Sequence, residues 1–164
     1  MRWSHLIATA FCVGHLRPAS GTWGSFAALP GGWLLHVLGG PVLLVAATLL
    51  AFALGWWATA LETKGKEDHD PSEIVIDEVV GQWIAILPLS IGATHAGAAI
   101  TALWPGWIAA FILFRFFDIT KLGPIGWADR RNDALGVMLD DVIAGVFAAI
   151  GVLALAWATH GGAS

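Results

Sequence analysis

The positions where charge is missing constrain this chain more than any other feature. No Asp, Glu, Lys or Arg falls between Arg17 and Glu62, none between Glu78 and Arg115, and none after Asp141. The remaining charges gather in two clusters, Glu62 to Glu78 and Arg115 to Asp141, with Arg2 and Arg17 outside them. A helix crossing a hydrocarbon layer about 30 Å thick needs about 20 apolar residues. Val42 to Leu61 and Val142 to Thr159 have that character. Gly39-Gly40-Pro41 reads as a turn that leaves Phe26 to Leu38 as a short arm before it. Val79 to Phe114 reads as a helical hairpin, broken by Pro88 and by the small residues from Gly92 to Gly97, with Pro105 expected to kink its second arm.

Apolar and polar residues do not alternate with the period of a strand. The expected fold is therefore all-α: one domain over residues 1–164, a compact bundle of hydrophobic membrane-embedded helices. Composition agrees. Hydrophobic residues make up 57% of the chain and charged residues 12%, against about 25% charged in a soluble domain. Ten tryptophans, most of them near the ends of apolar runs, suit anchoring at a membrane interface. The run from Leu6 to Gly14 is too short to span and lacks a convincing cleavage site, so it is expected to be a retained interfacial helix. Cys12 is the only cysteine, which excludes an intrachain disulfide. The net charge of −4, without a basic block, argues against a nucleic-acid partner.

A hairpin crosses and returns, so both charged clusters are expected on one side of the membrane, where they can build one site. Lys64, Lys66, Arg115, Lys121, Arg130 and Arg131 lie in them, so the positive-inside rule favours the cytoplasm for that side.

The first cluster contains Asp70-Pro71-Ser72-Glu73, which resembles a helix start with Asp70 as cap and Glu73 completing the box. Asp70, Glu73 and Asp77 would then share one face. Asp77 and Glu78 stand inside the apolar segment Ile74 to Leu87, where an unpaired carboxylate is costly. His69 is a weaker candidate acid or base. In the second cluster, Asp118 has Arg115 three residues before it and Lys121 three after, followed by Asp129, Arg130, Arg131 and Asp133. Asp140-Asp141 is expected to open the last helix. Carboxylates about 5 Å apart repel by about 3 kcal/mol at an effective dielectric near 20, more than a helix dipole returns. A divalent cation offsets several such pairs, and an all-oxygen donor set favours Mg²⁺ or Mn²⁺ over Zn²⁺. Gly21-Thr22-Trp23-Gly24-Ser25 precedes a helix expected near Phe26, and reads either as a capped glycine turn or as an anion cradle.

Other chemistries fit poorly. Cys12 and Arg17 are one residue short of a C-x5-R loop. Asp68-His69-Asp70-Pro71-Ser72 lacks the buried strand a D-x-D nucleophile needs. The D-x2-D-G-x2-A-R of lipid phosphotransferases is absent. A non-enzymatic alternative is a channel or transporter subunit lined by acids.

Four ordered segments carry a resemblance. They are G-T-W-G-S-F-A-A-L-P (21–30), I-V-I-D-E-V-V-G-Q-W (74–83), F-R-F-F-D-I-T-K-L-G-P-I-G-W-A-D-R-R (114–131) and G-V-M-L-D-D-V-I-A-G-V (136–146). Together they resemble the phosphatidylglycerophosphatase A family. The resemblance implies a multi-pass protein of the bacterial inner membrane, active at the cytoplasmic face. It would be a Mg²⁺-dependent phosphatase that converts phosphatidylglycerophosphate to phosphatidylglycerol plus phosphate; a phosphatase acting on another lipid phosphate is the alternative, and no obligate protein partner is inferred. By motif position the site would include Asp70, Asp77, Glu78, Arg115, Asp118, Lys121, Asp129, Asp140 and Asp141, with Gly21, Thr22, Gly24 and Ser25. The expected metal ligands are Asp70, Asp77, Glu78, Asp118, Asp140 and Asp141. Arg115, Lys121 and the 21–25 segment would bind substrate. Asp77, Asp118, Lys121, Asp129 and Asp141 would carry the chemistry.

Overall fold

Apolar runs with few breaks propagate as helices, and a computed structural model, which describes residues 2–66 and 70–160, contains helices and no strand among those residues. Six α-helices follow one another: α1 (Trp3–Ala8), α2 (Ser20–Glu62), α3 (Ile76–Ala96), α4 (Trp104–Thr120), α5 (Pro124–Asp129) and α6 (Ala134–His160). Asp68 and His69, weighed above as nucleophile and acid or base candidates, lie outside the described residues.

The glycine pair expected to turn the chain does so. Gly39 and Gly40 leave helical geometry inside α2, and Gly40 has φ +62°, a conformation glycine adopts without a side-chain penalty. Gly40 faces Thr94 near the end of α3, while Gly24 packs on Val75 and Gly55 on Ile76 at its start. The two arms of α2 therefore run away from the start of α3 and return to it. α3 repeats the outward path, the chain turns at Gly97 (φ +59°), and α4 comes back. α6 leads outward again. Both charged clusters consequently meet at one end of the bundle.

Several local expectations need correction. Pro105 does not kink α4; it occupies the first turn, where its missing N–H costs nothing. Pro88 does not break the hairpin either: α3 runs through it to Ala96, as α2 runs through Pro30. The first arm of α2 starts at Ser20, not near Phe26, so it is not short. The N-terminal run forms only a six-residue helix. Three residues after it, Ala10, Phe11 and Cys12, have positive φ, and a 3₁₀ turn follows at Val13–His15.

Four segments are long and apolar enough to cross a membrane: Ser20–Glu62, Ile76–Ala96, Ile100–Thr120 and Ala134–Thr159. Their inner faces build a core around Leu44, Ile86, Leu89 and Phe114. Their outer faces carry Leu38, Val42, Leu49, Ile112, Ile150 and Leu153, all exposed. A continuous apolar exterior of this kind suits lipid better than water.

Candidate active site

At the polar end of the bundle, four aspartates are buried to 8% exposure or less: Asp77, Asp118, Asp140 and Asp141. Glu78 joins them with its side chain 13% exposed. These five come from α3, α4 and α6, far apart in sequence. Oxygens of Asp77, Glu78 and Asp141 all lie within 4.8 Å of one another, and so do oxygens of Asp118, Asp140 and Asp141. Asp141 belongs to both groups and links them.

Two small residues make this convergence possible. Gly81 lies one helical turn after Asp77, and Gly145 one turn after Asp141. A Cβ on Gly81 would lie 2.7 Å from the Asp141 carbonyl, and one on Gly145 would overlap the Gly81 carbonyl. The backbones of α3 and α6 touch there, so the carboxylates one turn earlier face each other.

The acids are placed differently from expectation. Asp70-Pro71-Ser72-Glu73 does not start a helix. α3 begins at Ile76 with Val75 as its cap, so Asp70, Glu73 and Asp77 do not share a helical face. Asp70 is exposed on the segment leading into α3, and its charge is felt at Asp77 and Asp140. Asp77 and Glu78 fall in the first turn of α3, where the helix dipole favours them. Asp140 and Asp141 do not open α6. That helix starts at Ala134, capped by Asp133, whose Oδ1 accepts the Gly136 N–H at 2.6 Å. The pair sits well inside the helix, where the dipole offers little.

Two cations are fixed among the acids. Arg115 reaches Asp118 Oδ2 at 2.6 Å and Glu78 Oε1 at 4.0 Å, and donates weakly to Ser25 Oγ at 3.4 Å. Lys121 caps α4 in a left-handed conformation (φ +48°). Its Nζ contacts Asp140 Oδ2 and lies 3.3 Å from Asp118 and 3.4 Å from Asp129. Burial opposes the charge on Lys121, but Asp140, Asp141 and Asp118 outweigh it and raise its pKa. Asp129, at the end of α5, is the most exposed of these partners, with a side chain 42% exposed. Arg130 is exposed, and Arg131 pairs with Asp133 at 3.0 Å.

The 21–25 segment is not a loop before a helix; it is the first turns of α2. Ser25 therefore does not cap. Its Oγ donates to the Gly21 carbonyl at 2.9 Å. Gly21 has another use: a Cβ there would collide with Glu78 Oε1, so the glycine admits the carboxylate against α2. Gly24 does the same for Val75. Thr22 is half-buried beside them.

The family profile described as phosphatidylglycerophosphatase A matches residues 6–156, a stretch that contains every side chain of this cluster. The chain belongs to the phosphatidylglycerophosphatase A family. A Haemophilus influenzae protein named phosphatidylglycerophosphatase A is 40% identical over 153 residues, covering 92% of this chain and 87% of its own. The Escherichia coli K12 protein of that name is 35% identical over 148 residues, covering 88% of this chain and 78% of its own. A Bacteroides thetaiotaomicron protein named putative phosphatidylinositol-3-phosphatase is 40% identical over 112 residues, covering 66% and 62%. No solved structure matches.

In this member of the phosphatidylglycerophosphatase A family, a divalent cation fits the donor set. Five carboxylates face two cations, which leaves an excess of negative charge in a buried place. Asp118 spends both oxygens on Arg115 and Lys121, and Asp140 spends one on Lys121 and one on the Asp141 N–H. Glu78 Oε2 and Asp141 Oδ2, in contrast, are buried with no hydrogen-bond donor. Buried acceptors of that kind are rare without a partner, and hard carboxylate oxygens suit Mg²⁺.

Three residues of the site escaped sequence reasoning. Gly81 and Gly145 were legible only as the repeated spacing of Gly four residues after an acid. Gln82, one turn beyond Glu78, is fully buried with neither amide atom hydrogen-bonded. Its sequence signal was a lone amide in an apolar run.

Proposed function

We propose that this protein hydrolyses the phosphate monoester of phosphatidylglycerophosphate at a membrane surface, with Mg²⁺ as cofactor, as a step of phospholipid synthesis. Family membership supports a phosphatase acting on a lipid, and the names of the Haemophilus and Escherichia relatives support this substrate. The Bacteroides relative is named for a phosphoinositide, so a phosphomonoester on a lipid head group is the chemistry the three names share. The observation that carries the reading is the pair of unpartnered buried oxygens, Glu78 Oε2 and Asp141 Oδ2, within a convergence of carboxylates.

In this reading Asp77, Glu78 and Asp141 hold the cation, Asp118 and Asp140 complete its surroundings, and Asp70 stands at the approach. Bound there, Mg²⁺ supplies neutralisation of phosphate charge. Arg115 and Lys121 present guanidinium and ammonium groups to the phosphate oxygens, and their own carboxylate partners fix their positions. The start of α2 contributes the backbone N–H of Gly21, beside the hydroxyls of Thr22 and Ser25, while the Thr22 N–H is donated to the Ala19 carbonyl. Asp129, the most solvent-accessible acid in contact with Lys121, is placed to exchange a proton with water. Because all these groups sit where four apolar segments end, a lipid can present its head group while its chains stay in the bilayer. The interleaved Lys and Arg support a cytoplasmic position for that end by the positive-inside rule, and with it a bacterial inner membrane. The acid-lined channel is disfavoured because the carboxylates gather at one end of the bundle and Asp118 and Asp140 are tied to Arg115 and Lys121.

The experiment is phosphate release from phosphatidylglycerophosphate by purified protein with Mg²⁺ and with EDTA. Release that survives EDTA ends the metal reading; no release from any lipid phosphomonoester ends the functional one.

A further inference from the structure

Outside the carboxylate site, a second polar cluster forms from residues with no spacing signature. Glu62 ends α2. Its Oε1 accepts the Ser4 hydroxyl at 2.6 Å, and its Oε2 faces His5 Nδ1 at 3.3 Å. His5 Nε2 then lies 3.0 Å from His15 Nε2. The backbone is bent to achieve this. Ala10, Phe11 and Cys12 all take positive φ, a conformation that non-glycine residues rarely adopt. That curl folds the 3₁₀ turn back and sets His15 over His5, with ring centroids 5.1 Å apart.

The carboxylate decides the tautomer. With Nδ1–H donated to Glu62, His5 presents Nε2 as a lone pair, the arrangement found at histidines that bind metal. Two nitrogens each about 2.0–2.1 Å from one ion stand about 2.9–3.4 Å apart at the bond angles of octahedral to tetrahedral coordination. The observed 3.0 Å lies in that range. His15 is exposed, so an ion can enter from water, and the exposed Lys64 and Lys66 mark the same polar rim. Two imidazoles select a borderline transition metal over Mg²⁺.

We propose that His5 and His15, with Glu62 holding the far nitrogen of His5, form a surface site for a transition-metal dication of the Zn²⁺ type, distinct from the carboxylate centre. The ion clamps the 3₁₀ turn onto α1, and Glu62 ties the pair to the end of α2. The site is independent of the phosphatase reading.

The test is Zn²⁺ titration of tag-free, detergent-solubilised protein against a chromophoric chelator, with Mg²⁺ in excess. The wild type should bind an equivalent of Zn²⁺ that His15→Ala removes and Asp141→Asn leaves in place. Glu62→Gln should weaken it by about 10–100-fold, the usual effect of losing a carboxylate that orients a ligating histidine. His15→Ala should keep the wild-type rate of phosphate release with Mg²⁺, which shows that it folds. Equal Zn²⁺ binding by wild type and His15→Ala would overturn the proposal. So would Zn²⁺ binding lost only in Asp141→Asn, or none at all, since the two rings would then share only a hydrogen bond.

Discussion

Gly145 of α6 rests directly on the carbonyl of Gly81 in α3, with no side chain between the two backbones. This contact sets the distance between Asp77 and Asp141, each one turn before its glycine. Gly145→Ala must push the helices apart, since the obstacle is backbone and cannot rotate away. Overpacking of this kind costs about 1–3 kcal/mol, and the carboxylates should separate with it. The expected outcome is a lower unfolding temperature in detergent together with at least a tenfold loss of phosphate release. Gly92→Ala is the control, because a Cβ there meets nothing within 4 Å; it should leave activity unchanged.

The carboxylates should differ in importance according to burial and partners. Asp141→Asn removes a buried oxygen donor shared by both ligand groups. It should lower turnover by about 100-fold or more, the scale of losing a preorganised electrostatic contact at a reacting centre. Asp129→Asn, half-exposed and held only through Lys121, should cost less. Steady-state phosphate release by the two variants checks the order.

Metal removal should be visible without turnover. A cation that binds only the folded protein stabilises it by about 2.7 kcal/mol at a hundred times its dissociation constant. Mg²⁺ should therefore raise the unfolding temperature of the wild type and not of Asp141→Asn. An equal rise in both would remove Asp141 from the ligand set.

Lys121 should remain charged across the working pH range. Its pKa is raised by Asp140, Asp141 and Asp118 against the opposing effect of burial. A lysine shifted upward contributes its stabilisation fully below the unfolded-state value near 10.4, and loses it only as pH rises through the higher folded value. Lys121 should thus cause no loss of activity up to about pH 10, and Lys121→Arg, whose side chain is always charged, should follow the wild-type pH profile. Lys121→Met should instead lose activity at every pH, because Asp140 is left without its cation and Asp118 keeps only Arg115. Parallel pH–rate profiles distinguish these outcomes.

Topology gives a further test. In a Cys12→Ser background, Lys66→Cys lies at the polar end and Thr101→Cys at the opposite end, both exposed. An impermeant thiol reagent added outside intact spheroplasts should label position 101 and not 66. The reverse pattern would place the site on the outer face.

The covalent order of residues determined the helical class, the hairpin at Gly39-Gly40 and the meeting of both charged clusters at one end. These follow from hydropathy and backbone freedom, which act locally and need no knowledge of neighbours. It also marked Asp77, Glu78, Asp118, Asp140 and Asp141 as unusual, because a carboxylate beside apolar residues is costly wherever the chain folds. Helix boundaries were misjudged at Ser20, Ile76 and Ala134. The cap-like D-P-S-E sequence lost to packing of Val75 on Gly24, and a glycine-rich start could not be told from a loop by composition. Which oxygens pair with Arg115 and Lys121, and which are left without a donor, was decided only in three dimensions. So was the meeting of His5, His15 and Glu62. Such contacts depend on how closely two backbones approach across the bundle, and that closeness is set by glycines such as Gly81 and Gly145 acting in pairs that no single stretch of chain contains.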